Sequence, residues 1–256
     1  MSEVTSHQYL KLISDRIIVA ARVLLEDKLH YIEYKSTNDA VTSFDKDLQH
    51  ICFDAIRAAE SKAVCISEEL LTEINSEEFW IIDPLDGTSN FIQGVEPYAI
   101  AIAKIVNGAV YAALVIDLSN FDVYTAIKSN GAQLNYLPIA PKKTYINLLG
   151  VSTGFIKRNH LNLEGWNYRI LGSQALHLCK VATGALSANI SFEAKAWDDV
   201  AGSLIVSESG GYYCHNYPDE TWLELALNQK SLGSIACSPS ITADKKLQIM
   251  ELIKDE

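Results

Sequence analysis

Basic side chains are scarce in this sequence: Lys and Arg number 21 against 32 Asp and Glu, a formal net charge of -11 over 256 residues. That imbalance repels nucleic acid and anionic membrane surfaces, so neither a nucleic-acid polymer nor a membrane is an expected partner. A phosphate site in such a chain must import its positive charge, and bound divalent cations supply it. Cysteine is also sparse. Cys52, Cys65, Cys179, Cys214 and Cys237 are odd in number and scattered, with neither the close-set pairs of a zinc site nor a secreted-type disulfide framework. No Cys-x5-Arg loop surrounds any of them, which removes the anion-binding loop of a thiol phosphatase. No uninterrupted apolar run is long enough to cross a bilayer, and MSEVTSHQYLKL has neither a basic nor an apolar leader region. A cytoplasmic location is expected.

What is present is ordered by period. Leu10, Ile13, Ile17, Ala20 and Leu24 recur at helical spacing, and a second helix is predicted from near Asp47 to about Ala59. Between them YKSTNDAVTSFD reads as a loop or hairpin. VCI at 64–66 and FWII at 79–82 read as buried strands, each leading into carboxylates. From Tyr98 to Ile127 the pattern is a hairpin turning at Asn107-Gly108, then another antiparallel strand. NGAQLNYLPIAPKK is the best boundary between halves, dividing the chain into 1–137, with most of the candidate ligands, and 138–256. Beyond it, INLLGV and the segment near Ile170 read as strands, and SQALHLCKVATG as a helix capped by Ser173 and stopped by Gly184. ALSANI is a strand, DDVAGSLIVSES a helix, and a last helix from about Ala243 presents Leu247, Met250 and Ile253 on one side. The fold class is a layered α/β (α+β) sandwich.

The sharpest feature is WIIDPLDGTSNF at 80–91. An apolar strand ends at Asp83, Pro84 turns the chain, and Asp86 follows. Two carboxylates at a strand terminus offer oxygens to hard cations, and the turn exposes the Leu85 carbonyl as another. The free N–H groups of Gly87 and Thr88 open a short helix where a phosphate can sit. The plain alternative is an acidic turn whose aspartates cap backbone groups. Ser67-Glu68-Glu69 at a second strand end and Asp198, in the first turn of a helix, add acidic groups. Asp198 can equally be a simple cap, a job open to Asp199 as well. Upstream, Lys35 can neutralise an anion, and Asp45 can accept a hydrogen bond from Thr88, whose hydroxyl would orient a water.

Together these segments resemble the inositol monophosphatase family of lithium-sensitive, magnesium-dependent phosphatases. VTSFD, ISEE, WIIDPLDGTSNF, LGSQAL and AWDDVAG resemble its successive blocks, in order, over nearly the whole chain. The resemblance implies an alternating α-β-α-β-α sandwich, usually a homodimer. It implies a metal shell of Glu68, Asp83, the Leu85 carbonyl, Asp86 and Asp198, holding two or three Mg2+ ions, with Mn2+ a substitute. Thr88 and Asp45 resemble the pair that holds the water nucleophile, with Glu68 on the activating metal. Gly87, Thr88 and Ser89 resemble the phosphate cradle, and Glu69 is placed to assist an additional cation.

The expected reaction is in-line hydrolysis of a small phosphate monoester, without a phosphoenzyme. myo-Inositol monophosphate leads by resemblance. Family members commonly carry a glutamate seven residues before the aspartate that Asp198 resembles; Ser191 stands there, with Glu193 on the same face of a predicted strand. A 3'(2'),5'-bisphosphate nucleotide, histidinol phosphate and fructose bisphosphate are alternative substrates, with Lys157 and Arg158 available for a second phosphate. Arg169 is open to a substrate contact, a subunit interface or a buried ion pair. A degenerate regulatory binding protein is the alternative outside enzymes, although every carboxylate and Thr88 remain.

Overall fold

Successive side chains of a strand face opposite ways, so the apolar residues of 79–116 must feed two cores at once. The computed structural model of the protein describes residues 6–26, 32–36, 39–143, 145–157 and 163–254 and shows that division. Phe79, Ile81, Ala101, Ala103 and Val115 enter one core cluster. Trp80, Ile82, Ile100, Ile102 and Leu114 enter another. Burying each large aliphatic side chain stabilises the fold by about 1.5–3 kcal/mol.

The chain begins with α1 (Ser6–Glu26), β1 (Ile32–Ser36), β2 (Asp39–Thr42) and α2 (Ser43–Ala59). There follow β3 (Cys65–Ser67), β4 (Glu78–Asp86), α3 (Thr88–Gln93), β5 (Ala99–Val106), β6 (Ala109–Asp117), β7 (Val123–Ile127), β8 (Ala132–Leu134) and β9 (Leu137–Pro138). Next come β10 (Leu148–Val151), α4 (Thr153–Lys157), β11 (Asn167–Arg169), α5 (Gln174–Ala182) and β12 (Ala188–Ala194). Last are α6 (Ala196–Glu208), β13 (Tyr212–His215), α7 (Trp222–Leu227), β14 (Leu232–Cys237) and α8 (Ala243–Lys254).

Strands β3 to β9 form a seven-stranded sheet in chain order, in which β3 runs parallel to β4 and the other neighbours are antiparallel. The second sheet has the order β11-β10-β12-β14-β13. Helices α1 and α2 cover the outer face of the first sheet, and α5 and α6 fill the space between the sheets. Helices α4 and α8 pack on β12 and β14 beyond the second sheet, over a third core around Phe155, Ile190 and Ile249. The architecture is therefore the α-β-α-β-α sandwich. No described helix is long and apolar enough to cross a membrane.

Three local readings change. Helix α2 starts at Ser43, earlier than expected, because Thr42 and Asp45 cap it reciprocally: Asp45 N–H donates to Thr42 Oγ1 and Thr42 N–H to the Asp45 carboxylate. The polar segment 130–143 contains β8 and β9, which extend the first sheet. In α8 the residue facing the core is Ile249, fully buried, whereas Leu247 is 57% exposed. Its apolar residues fit more than one face, and docking on β14 selects among them.

Helices α5 and α6 meet closely at Gly202, where a Cβ would lie 2.4 Å from Leu178 Cδ1. Gly202→Val is expected to destabilise the protein by about 1–3 kcal/mol or more through overpacking. Urea unfolding checks this; an unchanged midpoint would contradict it.

Candidate functional site

The parallel pairing of β3 with β4 sets Ser67 opposite Ile82, so Glu68 and Asp83 leave the sheet side by side. Three steps along β4, from Asp83 to Asp86, match two along β5, from Ala101 to Ala99. This one-residue bulge matters because side chains three apart on a regular strand point to opposite faces. Here both aspartates serve one region. Asp83 is 1% exposed and its Oδ1 accepts from Leu85 N–H at 3.0 Å. Asp86 Oδ2 accepts from Ser173 Oγ at 2.6 Å and from Ala175 N–H at 2.7 Å, at the start of α5. Asp198 lies in the first turn of α6, where its Oδ2 accepts from Lys195 N–H at 2.7 Å.

Electrostatics connect these groups. Burial first, and then the charges of Glu68, Asp86 and Asp198, hold the Asp83 carboxyl well above its ordinary range. Burial, Asp86 and Glu68 do the same to Asp198. Burial pushes Asp86 up to about 6, although Ser173 and the backbone of Ala175 and Gln174 donate to it. Among the described residues, Asp83, Asp86 and Asp198 form no ion pair with Lys or Arg. Nor, among those residues, do three His, Cys, Asp or Glu side chains close into a ready-made metal cage. Asp86 and Asp198 lean instead on N–H donors at the starts of α5 and α6. The set nevertheless fits a hard divalent cation: its donors are carboxylate oxygens, buried at Asp83 and Asp86 and half-buried at Asp198, and short of positive charge.

Beside them stands the second predicted pair. Thr88 Oγ1 lies 3.0 Å from Asp45 Oδ1 and 2.9 Å from the Leu85 carbonyl, so its one proton has two acceptors. Asp45 is 3% exposed and fixed by Thr42 from the other side; burial raises its carboxyl pKa against those hydrogen bonds. Gly87 precedes α3 with φ 98°, a left-handed conformation that favours glycine. Ser89 is exposed. Lys35 falls in β1, but its side chain lies outside the described residues, as does Arg158.

Ser191, buried, and Glu193, exposed, both line a cleft of 180 Å³ that also touches Asp86, Ser173, Gln174 and Asp198. Glu193 Oε1 accepts from Gly154 N–H at 2.7 Å. Arg169 is exposed and donates to the Tyr168 carbonyl at 2.7 Å, so it makes no buried ion pair. His177 is buried on α5 and its Nε2 accepts from Leu171 N–H at 3.1 Å; burial lowers its pKa to about 4. Sequence reasoning took Ser173 only as a helix cap, whereas its hydroxyl also holds Asp86. It also missed Gln174, whose amide reaches Asp199. The available signal was polarity: Gln174 and Asp199 stand where two helices begin among apolar residues.

Residues 9–252 match the inositol monophosphatase family. The chain is similar to the Nus factor SuhB of Pasteurella multocida, 32% identical over 238 residues that cover 87% of this chain and 86% of that one. The Nus factor SuhB of Escherichia coli K12 is 32% identical over 212 residues, covering 72% and 76%. Among solved structures, the Thermotoga maritima IMPase superposes with a TM-score of 0.78 at 24% identity, over 96% of this chain and 98% of that one. A staphylococcal IMPase-I complexed with products gives 0.78 at 22%, over 96% and 95%. At that identity the structural likeness speaks for the fold.

The relatives' Nus-factor name overturns the expectation that a nucleic-acid polymer is excluded as a partner. A net charge of -11 is a sum over the whole chain. It decides neither the sign of a local patch nor whether a protein joins an assembly through protein contacts.

Raised carboxyl pKa values make a stability prediction for the protein in chelator. The folded state keeps protons on Asp83, Asp86 and Asp198 that the unfolded chain releases above about pH 4. Their contribution is therefore present at low pH and lost as pH rises through about 6 and beyond. Calorimetry in EDTA should show Tm falling as pH rises from about 5 to about 7, with Mg2+ restoring it at the upper end. A Tm indifferent to both would contradict the reading.

Proposed function

Because this chain belongs to the inositol monophosphatase family, we propose that it hydrolyses a small phosphate monoester with Mg2+, myo-inositol monophosphate being the leading substrate. The observation that carries this reading is the mutual electrostatic influence of Glu68, Asp83, Asp86 and Asp198 beside the Thr88–Asp45 hydrogen bond. In this proposal Glu68, Asp83, the Leu85 carbonyl, Asp86 and Asp198 hold two or three ions. When bound, Mg2+ supplies the positive charge that a phosphate needs and lowers the pKa of a water.

The chain's own residues do the positioning. Asp45, anchored at the start of α2, accepts a hydrogen bond from the Thr88 hydroxyl on Oδ1. Thr88 Oγ1 then turns a lone pair outward, to accept from a water and hold it in line with the phosphorus. Backbone N–H groups of Gly87 and Thr88, with Ser89 and Lys35, are proposed to receive the phosphoryl oxygens. Ser191 and Glu193, lining the cleft, face the alcohol. Glu193 is the one carboxylate there outside the proposed metal shell and can accept from a substrate hydroxyl. That favours a polyol over a second phosphate, which the same charge would repel. Lithium sensitivity, a cytoplasmic location, a dimeric state and the division into halves 1–137 and 138–256 are proposed with it.

Similarity to proteins named Nus factor SuhB supports a second reading, a Nus-factor role alongside hydrolysis. An Asp86→Asn protein separates the two: hydrolysis should fail, while a role resting on surface contacts should persist.

Phosphate release should be measured with myo-inositol 1-phosphate, adenosine 3',5'-bisphosphate, histidinol phosphate and fructose 1,6-bisphosphate, each with Mg2+ and with EDTA. The proposal expects Mg2+-dependent turnover, highest on the inositol ester. Thr88→Ala should lower kcat by about 10²-fold through a misplaced water. Full turnover in Thr88→Ala or in Asp86→Asn, with the fold intact, would reject the assignment; a different ester leading would reject the substrate alone.

A further inference from the structure

Behind the proposed metal residues lies a polar cluster that hydrolysis does not use. Asp199 is fully buried, and its Oδ1 accepts from Gln174 Nε2 at 2.7 Å. Its Oδ2 accepts from Tyr213 Oη at 2.9 Å. Gln174 Nε2 also donates to Asn189 Oδ1 at 3.0 Å.

The placement of this cluster is specific. Gln174 sits between Ser173 and Ala175, the two residues whose hydroxyl and N–H hold Asp86 Oδ2. Asp199 directly follows Asp198, whose carboxylate caps the same helix start. A single 2.7 Å bond thus joins the beginning of α5 to the beginning of α6, one residue from the Ser173 and Ala175 anchors of Asp86 and one residue from Asp198 itself.

Two orphaned polar atoms weigh against stability alone as the purpose of this contact. Gln174 Oε1 and Asn189 Nδ2 are buried without a partner among the described residues. Each such orphan has given up its hydrogen bonds to water without replacing them, which costs stability. Turning the Gln174 amide over would set its oxygen against Asp199 Oδ1 and Asn189 Oδ1, the two acceptors that its nitrogen now serves. The acid therefore dictates the orientation and leaves the orphans behind. Well-packed apolar side chains at these positions would hold two helices together at lower cost.

We propose that the Gln174–Asp199 hydrogen bond is a spacer that fixes the separation of the Asp86 and Asp198 carboxylates, and so sets how tightly the site holds its divalent cation. The inference rests on the metal reading given under the proposed function. Gln174 and Asp199 are positioning residues: they act through the two carboxylates. Partners of this kind, which orient metal-binding side chains, change metal affinity or activity by about 10–100-fold when removed.

The test is calorimetric titration of the full chain with Mg2+, with Tm measured in EDTA. Gln174→Met removes the bond at nearly constant volume, and Gln174→Asn keeps an amide but withdraws it by one methylene; Tyr213→Phe deletes a bond to the same acid without touching the α5–α6 link. Both Gln174 variants should bind Mg2+ about tenfold more weakly or worse. If Gln174→Met does not fold, Gln174→Asn carries the comparison alone. Tyr213→Phe should lower Tm and leave Mg2+ affinity where it was. Gln174→Glu combined with Asp199→Asn, which exchanges acceptor and donor across the contact, should recover most of the affinity lost by Gln174→Asn. Gln174 variants that lose Tm but bind Mg2+ as the parent does would overturn the spacer and leave hydrolysis standing. A parent protein that neither binds Mg2+ nor releases phosphate would overturn both.

Discussion

Carboxylates brought together out of water repel one another, and the site depends on how that repulsion is answered. Asp83 and Asp198 are each driven well above the ordinary carboxylate range by burial and by neighbouring acids. Without a cation the charge is moderated by protons and by N–H donors at helix starts. With one, the same charge becomes binding energy. A protein with a large acidic excess can handle an anionic substrate on those terms, because the cation inverts the local sign.

The fold supplies the convergence from separate stretches of chain. Parallel pairing sets Glu68 beside Asp83, and a bulge turns Asp83 and Asp86 to one region. The layer of α5 and α6 between the sheets then delivers Ser173, Ala175 and Asp198 from the second half of the chain. Close approach of those helices at Gly202 is what lets their first turns stand next to each other. Packing and chemistry are thus linked through one helix pair, with the Gln174–Asp199 contact at its working end.

Much of this was legible in the sequence because it is written in local signals. Short apolar runs marked strands β3 to β7 of the first sheet, and Asn107-Gly108 marked the hairpin, both turn residues having positive φ. The Thr88–Asp45 bond was expected even though Asp45 was read into the loop before α2 and not into its first turn. What escaped depends on tertiary contacts that local patterns do not encode. The buried face of α8 was set by docking on β14, so Ile249 replaced Leu247. Ser173 holding Asp86 spans 87 residues of sequence, and a serine at a helix start reads first as a cap. Net charge misled for a related reason: a sum over residues carries no information about where they lie, and the Nus-factor relatives corrected it.

The central claim is that Glu68, Asp83, Asp86 and Asp198 surround divalent cations between them. Anomalous scattering from crystals of the full chain grown with Mn2+ and inorganic phosphate tests it directly. Two or more manganese peaks bounded by those four carboxylates, with phosphate beside Thr88, are the predicted result. Crystals that hold Mn2+ elsewhere, or none, while the four acids stay apart, would contradict it.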